Sequence, residues 1–267
     1  MRIFNKQVYF REFIPPILIG PLKQIRNAVL PAAARNATGN IKHAIKPYFS
    51  PALESYSQFN EDLLIDLLLL QKKEGFYIDV GANDPVFNSN TKRFYDRGWR
   101  GINIEPGVEQ FEKIKQARPR DTNLNVGVGP ANGSMIFYRV VGDSTLSSFN
   151  KSVASNMAKA HGKKVEEVIV SVLRLVDIYE GYVKGSHVDF LSVDAEGLDL
   201  EVLKSNDWNK FRPSLVMVEA DSQYTEIVGY MECRHYYLLF NNNHNVIFMD
   251  RETSEATLKT MIDVKKA

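Results

Sequence analysis

Cysteine is nearly absent: Cys233 is the single thiol in 267 residues. That excludes an intramolecular disulfide framework and a cysteine-rich zinc site, and it fits a reducing, cytoplasmic compartment. A lone small thiol of this kind reads as a core residue. Long apolar runs are missing as well. Residues 13–22 form the best one near the start, but Pro15, Pro16 and Pro21 interrupt it. It is too short to span a bilayer and too broken to be the core of a cleavable signal. Acids are scarce in one region, since the first fifty residues carry eight Lys or Arg and only Glu12 on the other side. With 33 basic and 32 acidic residues in all, the rest of the chain holds an excess of six acids. A basic leader on an acidic body points to an anionic surface as the leader's partner and gives no ground for a nucleic-acid partner. Its stretch Val8-Tyr9-Phe10-Arg11-Glu12-Phe13-Ile14 suits a peripheral membrane contact, or docking on its own domain or on the second copy of a homo-oligomer.

What is present suffices for one large core, with 44% hydrophobic and 11% aromatic residues. The expected division is a leader and linker over residues 1–55, rich in Ala, Asn, Gly and Pro from 31 to 51, and a catalytic domain over 56–267. Ser57 is the expected N-cap of a helix running through Gln71, with Phe59, Leu63, Leu64, Leu67 and Leu68 at helical spacing. From there short apolar runs alternate with helical stretches, the pattern of βαβ units and a mostly parallel sheet. Strands are expected at 76–80, 101–105, 122–126, 188–193, 214–219, 235–240 and 245–249. Residues 134–172 interrupt the alternation with two shorter strands and a polar helix at 150–160, an insertion expected to cover the carboxyl edge of the sheet. Asn241-Asn242-Asn243-His244 reads as a hairpin turn, which makes the edge antiparallel.

The chemistry gathers at strand ends. Asp79-Val80-Gly81-Ala82-Asn83 closes the first strand, where a glycine permits a tight turn and Asp79 is the last side chain delivered to the crevice. A dinucleotide turn needs three glycines, and here Gly81 stands alone with Asp84 close by to repel a diphosphate. S-adenosylmethionine fits better, because it has no phosphate and carries two cationic groups that acids attract. Glu105 follows 24 residues after Gly81, at the end of the second strand, where a carboxylate can accept both ribose hydroxyls. Val188 through Gly197 ends a strand in Asp194 and Glu196, and the next strand ends in Glu219, with Asp221 just beyond. Acids crowded on one rim are costly unless solvated, paired or coordinated, so a functional site is favoured.

The order of these motifs resembles the FkbM family of methyltransferases. The matching stretches are Ser57-Gln58-Phe59-Asn60-Glu61-Asp62, Tyr77 through Asn83, Ser89-Asn90-Thr91, Arg97-Gly98-Trp99-Arg100-Gly101, Ile104-Glu105-Pro106, Leu146-Ser147-Ser148-Phe149 and Asp189 through Leu203. The resemblance covers residues 56–249 and departs from the family pattern at Asp84-Pro85 and at Val126-Gly127-Val128. It implies an α/β, Rossmann-like class I methyltransferase with a seven-stranded, mostly parallel sheet, an antiparallel last strand and helices on both faces. It also implies O-methylation of a hydroxyl on a sugar, glycan or secondary metabolite, with S-adenosylmethionine as cofactor. On this chain the implied cofactor set is Asp79, Gly81, Ala82, Asn83, Asn90, Glu105, Pro106 and Val126. Asp194, Glu196 and Glu219 are the expected catalytic acids, serving as a general base or holding a divalent ion such as magnesium. Gln58, Asp62 and His244 are expected on the acceptor side. Two rival readings stand beside this one: a catalytically silent binding domain attached through its leader, and an NAD-dependent oxidoreductase, the latter disfavoured by the missing glycines.

Overall fold

A computed structural model describes residues 54–220 and 223–254. The leader and linker as far as residue 53, and Asp221, lie outside the described residues.

Seven strands build the main sheet: β1 (Phe76–Val80), β2 (Arg100–Ile104), β3 (Thr122–Leu124), β7 (Phe190–Val193), β8 (Leu215–Glu219), β9 (Tyr236–Asn241) and β10 (Asn245–Asp250). Their order is β3-β2-β1-β7-β8-β10-β9. β1 pairs in parallel with both β2 and β7, and β7 with β8. β10 runs antiparallel to β8 and to β9. The expected hairpin forms, but its antiparallel arm, β10, is inserted between β8 and β9, and β9 holds the edge.

Alternate residues of the strands feed two cores, as strand pleating requires. Tyr77, Phe190, Leu215, Met217 and Ile247 pack on one face against Ile65 of α1 (Glu61–Leu68), Phe94 of α2 (Lys92–Asp96) and Trp99. The helix α3 (Val108–Ala117) connects β2 to β3 and ends at Arg118. Ile78, Val80, Leu191, Val193, Val216 and Val218 pack on the other face against α5 (Leu175–Tyr182), α6 (Asp199–Lys204) and α7 (Tyr224–Glu232). Strands covered on both faces read as nearly continuous apolar runs, which is why they were visible in the sequence. Each large side chain so buried contributes roughly 1.5–3 kcal/mol.

Two local expectations are corrected. α1 begins at Glu61 with Asn60 as its N-cap, not at Ser57, and it ends at Leu68 because Leu70 and Gln71 turn the chain at positive φ. Ser57 still holds the helix start from outside, its Oγ accepting the Asp62 N–H at 3.2 Å. Cys233 is exposed at the end of α7 and is not a core residue.

Between β3 and α5 the chain builds the insertion. β4 (Gly127–Val128), β5 (Gly133–Val140) and β6 (Val165–Leu173) form a second sheet in the order β4-β6-β5, with α4 (Lys151–Ala160) crossing between β5 and β6. Asn150 caps α4, its Oδ1 accepting the Ser152 and Val153 N–H groups. Among the described residues no helix is long and apolar enough to cross a membrane.

Candidate active site

From β1 the chain passes to β2 and β3 on one side; after the insertion it returns through β7 and β8 on the other. The carboxyl ends of β1 and β7 are therefore the place where strand order reverses, and loops leaving in opposite directions open a crevice there. Gly81 and Asp194 are the first residues past those two strands. Gly81 has φ +79, and a Cβ on it would lie 1.8 Å from the Asp194 carbonyl oxygen. Both the conformation and the close approach exclude a side chain at this position. The N–H groups of Gly81 and Ala82 both donate to the Ile104 carbonyl, at 2.9 and 3.2 Å, which ties the turn to β2.

The crevice has two compartments that share Gly81, Asn83, Asp194 and Glu196. The inner one is a narrow slot lined by Glu105, Pro106, Val126, Val128, Phe137 and Phe149. The outer one, a cavity of about 520 Å³, is lined by Gln58, Asp79, Asn90, Glu219, Asn245 and residues of the insertion. Its size falls in the range of small-molecule sites.

Glu105 is buried and joins the two loops beside the slot. Its Oε2 accepts the Asn83 N–H at 2.9 Å and its Oε1 accepts the Gly107 N–H at 2.7 Å. Burial pushes its pKa up to about 7 against the pull of these two backbone donors. A carboxylate has about four acceptor sites, so two remain for hydroxyls in the slot. Asn83, at φ 44, accepts the Ser144 hydroxyl from the insertion at 2.7 Å.

Asp79 is 4% exposed and faces the outer compartment, but its carboxylate is already engaged. Its Oδ2 accepts the Thr91 hydroxyl at 2.5 Å, and the same hydroxyl accepts from Arg118 at 2.6 Å. Burial raises its pKa, and the Arg118 charge together with hydrogen bonds from Thr91 and Ser192 opposes the rise. The sequence reading missed Arg118. This fully buried guanidinium also donates to the Pro85 carbonyl, Ser89 and Asn103, and so fastens loop 85–91 to the sheet. Asn90, carried on that loop, donates to Ser192 at 3.2 Å.

Asp194 lines both compartments, and its Oδ1 is buried without a hydrogen-bond partner. Desolvation drives its pKa well above the ordinary carboxylate value; the charges of Glu219, Glu196 and Asp199 and a hydrogen bond with Glu219 push the same way. Two carboxyl groups in hydrogen-bond contact share a proton between them, and Oδ1 is left as a buried acceptor without a partner. Glu196 stands at φ 49, and its carbonyl accepts the Ser148 hydroxyl at 2.6 Å. Asp199, also missed, shapes this turn by accepting the Ala195 and Gly197 N–H groups at 2.7 and 3.1 Å; burial holds it near pKa 7.

The expected acceptor-side residues are not brought together. Gln58 lines the outer compartment. Asp62 does not: it is fully buried, and its carboxylate accepts from Ser55, Ser57 and the Tyr56 N–H, so it pins the segment before α1. His244 is exposed outside both compartments and stacks on Phe59 with centroids 5.2 Å apart. Asn245 takes the position at the crevice instead, its side chain donating to Glu61 at 2.8 Å. Among the described residues no group of three or more His, Cys, Asp or Glu side chains is arranged to hold a metal ion.

These features fit the implied cofactor: an apolar slot beside a carboxylate with acceptor sites to spare, and an unpartnered buried oxygen next to the glycine turn. A profile of the methyltransferase FkbM domain matches residues 79–245. No protein of curated function matches the chain. Similar solved structures include a TehB-like SAM-dependent methyltransferase from Corynebacterium glutamicum, 9% identical, covering 83% of this chain and 100% of that one, with a TM-score of 0.39. Others are a methyltransferase from Geobacter sulfurreducens (13% identity, 88% and 100% covered, TM-score 0.37) and an O-methyltransferase from Bacillus cereus in complex with SAH (9%, 85% and 96%, TM-score 0.30). Structural likeness at these TM-scores does not bear on function.

Proposed function

The chain belongs to the FkbM methyltransferase family and is an S-adenosylmethionine-dependent methyltransferase; from that premise we propose that it methylates an acceptor hydroxyl in the outer compartment, with Asp194 taking the proton. The observation that carries this reading is the unpartnered Asp194 Oδ1, held beside the Gly81 turn and against Glu219.

When bound, S-adenosylmethionine supplies a methyl carbon activated by its sulfonium. The residues proposed to hold it are Glu105, through its remaining acceptor sites, and the turn at Gly81, Ala82 and Asn83, with Pro106 and Val126 along the slot. Asn90 and Asp79 support them through Ser192, Thr91 and Arg118. The chain's remaining tasks are to orient a hydroxyl, exclude water and receive one proton. A hydroxyl is a weak nucleophile near neutral pH and needs a base within hydrogen-bond reach. Asp194 Oδ1 accepts its hydrogen bond and then its proton, so the Asp194–Glu219 pair goes from one shared proton to two. Burial disfavours charge on the pair and so favours uptake of the proton, although the repulsion between its two carboxylates is already relieved by the first one. Glu196 adds negative charge, and its backbone anchors the insertion over the site.

The direct test is Asp194→Asn, assayed by mass spectrometry for a gain of one methyl on hydroxylated acceptors. A positioned base contributes on the order of 100-fold or more, so turnover falls by at least that factor while S-adenosylhomocysteine still binds. Full turnover by the variant removes Asp194 from the chemistry. Retained turnover in EDTA supports proton transfer to the carboxylate pair, whereas loss that magnesium restores favours a metal-held acceptor.

We further propose that residues 56–267 form the catalytic domain and that the basic first fifty residues contact an anionic surface. The full chain then sediments with phosphatidylserine vesicles and is released as salt rises; binding indifferent to salt contradicts it.

A further inference from the structure

The outer compartment changes character between floor and mouth. The more buried part of its lining, the floor, is largely polar: Ser89, Asn90, Asp194, Glu219 and Asn245, with Ala82 and Leu146 beside them. Around its mouth stand Phe87, Val153 and Met157, exposed by 77%, 40% and 40%. Single exposed apolar residues are ordinary on a protein surface, but three around one opening are a feature of that opening.

Each is presented by fixed backbone. The Val86 and Phe87 N–H groups both donate to Asp84 Oδ1, at 2.8 and 2.9 Å, so the turn that carries the Phe87 ring is tied down while the ring stays in water. Val153 and Met157 lie one turn apart on α4 and share a face of it. Ala154 and Ala158, the next residues along, face inward and pack with Val140 of β5. This helix, Lys-Ser-Val-Ala-Ser-Asn-Met-Ala-Lys-Ala, half of it polar, thus has one small-residue stripe for its own sheet and a second, larger apolar stripe at the crevice. An acceptor that is hydroxylated throughout has no use for the second stripe.

Building on the reading that this crevice methylates a hydroxyl, we propose that the acceptor is amphipathic: a hydroxyl-bearing head reaches the polar floor while a hydrocarbon arm lies across Phe87, Val153 and Met157. The arm gains by leaving water, and it excludes water from the mouth over the reacting hydroxyl. The polar lining disfavours an inverted pose, because an arm pushed inward takes water from Ser89, Asn90 and Asn245 and offers no hydrogen bond in return.

The probes are methyl β-glucoside and octyl β-glucoside, the latter below its micelle concentration, titrated by calorimetry into the full chain saturated with S-adenosylhomocysteine. The octyl compound binds at least about tenfold more tightly than the methyl one. The double variant Phe87→Ser/Met157→Ser removes most of that difference, while its affinity for S-adenosylhomocysteine stays within about twofold of the parent. Equal affinities, no binding of either glucoside, or an octyl advantage that survives in the variant overturn the proposal. A flat titration with S-adenosylhomocysteine itself marks the other failure: it removes the cofactor reading, and the amphipathic acceptor with it.

Discussion

Glu105 and Asp199 do the same work by the same means: each is a buried carboxyl that accepts two backbone N–H groups and thereby shapes a loop of the crevice. Burial outweighs those hydrogen bonds and pushes both pKa values up to about 7. Between the unfolded pKa and about 7 the folded chain therefore keeps protons that the unfolded chain has lost. Their contribution to stability is complete below the unfolded pKa and is lost as pH rises through 7, by up to roughly 3 kcal/mol for each group. The urea midpoint is accordingly lower at pH 8 than at pH 5, and Glu105→Gln flattens that slope; an unchanged slope in the variant means Glu105 does not titrate there. At this scale the sequence was legible for position: Glu105 and Asp194 stand directly after β2 and β7, at the strand ends where they were expected. It was illegible where burial decides the role. Arg118, within Lys-Gln-Ala-Arg-Pro-Arg, and Asp62, in the first turn of a helix, both look like solvated charges, and both are buried hydrogen-bond hubs.

Two hydroxyls of the insertion clasp the loops on which the crevice is built: Ser144 donates to Asn83 beyond β1, and Ser148 donates to the Glu196 carbonyl beyond β7. Phe149 follows directly and lines the slot, its ring 2.6 Å from where a Cβ on Gly127 would stand. The second sheet and α4 thus act as a cover fastened at both rims. Ser148→Ala removes one clasp and leaves a carbonyl without its donor. Stability falls by about 1–2 kcal/mol, and the KM for S-adenosylmethionine rises more than kcat falls; an unchanged KM detaches the clasp from cofactor binding. That an insertion stood at 134–172 was legible, because helix and strand stopped alternating there. Its second sheet was not, since β4 is two residues long and is defined only by pairing with β6, a partner distant in sequence. Leu146-Ser147-Ser148-Phe149 stood out as a motif, yet nothing local in it told which loop it would grip.

For the molecule as a whole, the alternation of apolar runs and helices was enough to read a mostly parallel sheet, because strands buried on both sides leave that trace in sequence, while helices on both faces were implied by the resemblance to the FkbM family. Strand order left no such trace. That β1 lies between β2 and β7, and that β10 separates β8 from β9, follows from packing across the sheet, which periodicity along the chain does not record. Yet strand order makes the site: the reversal beside β1 brings Gly81 within contact of Asp194, sets Glu105 against Asn83, and leaves the crevice open between them. The central claim is that this switch point is the cofactor site. Calorimetric titration with S-adenosylhomocysteine tests it most directly, with Glu105→Gln as the paired variant. One-to-one, saturable binding that weakens at least about tenfold in the variant is the expected result, whereas saturable binding of NAD with no response to S-adenosylhomocysteine contradicts the account.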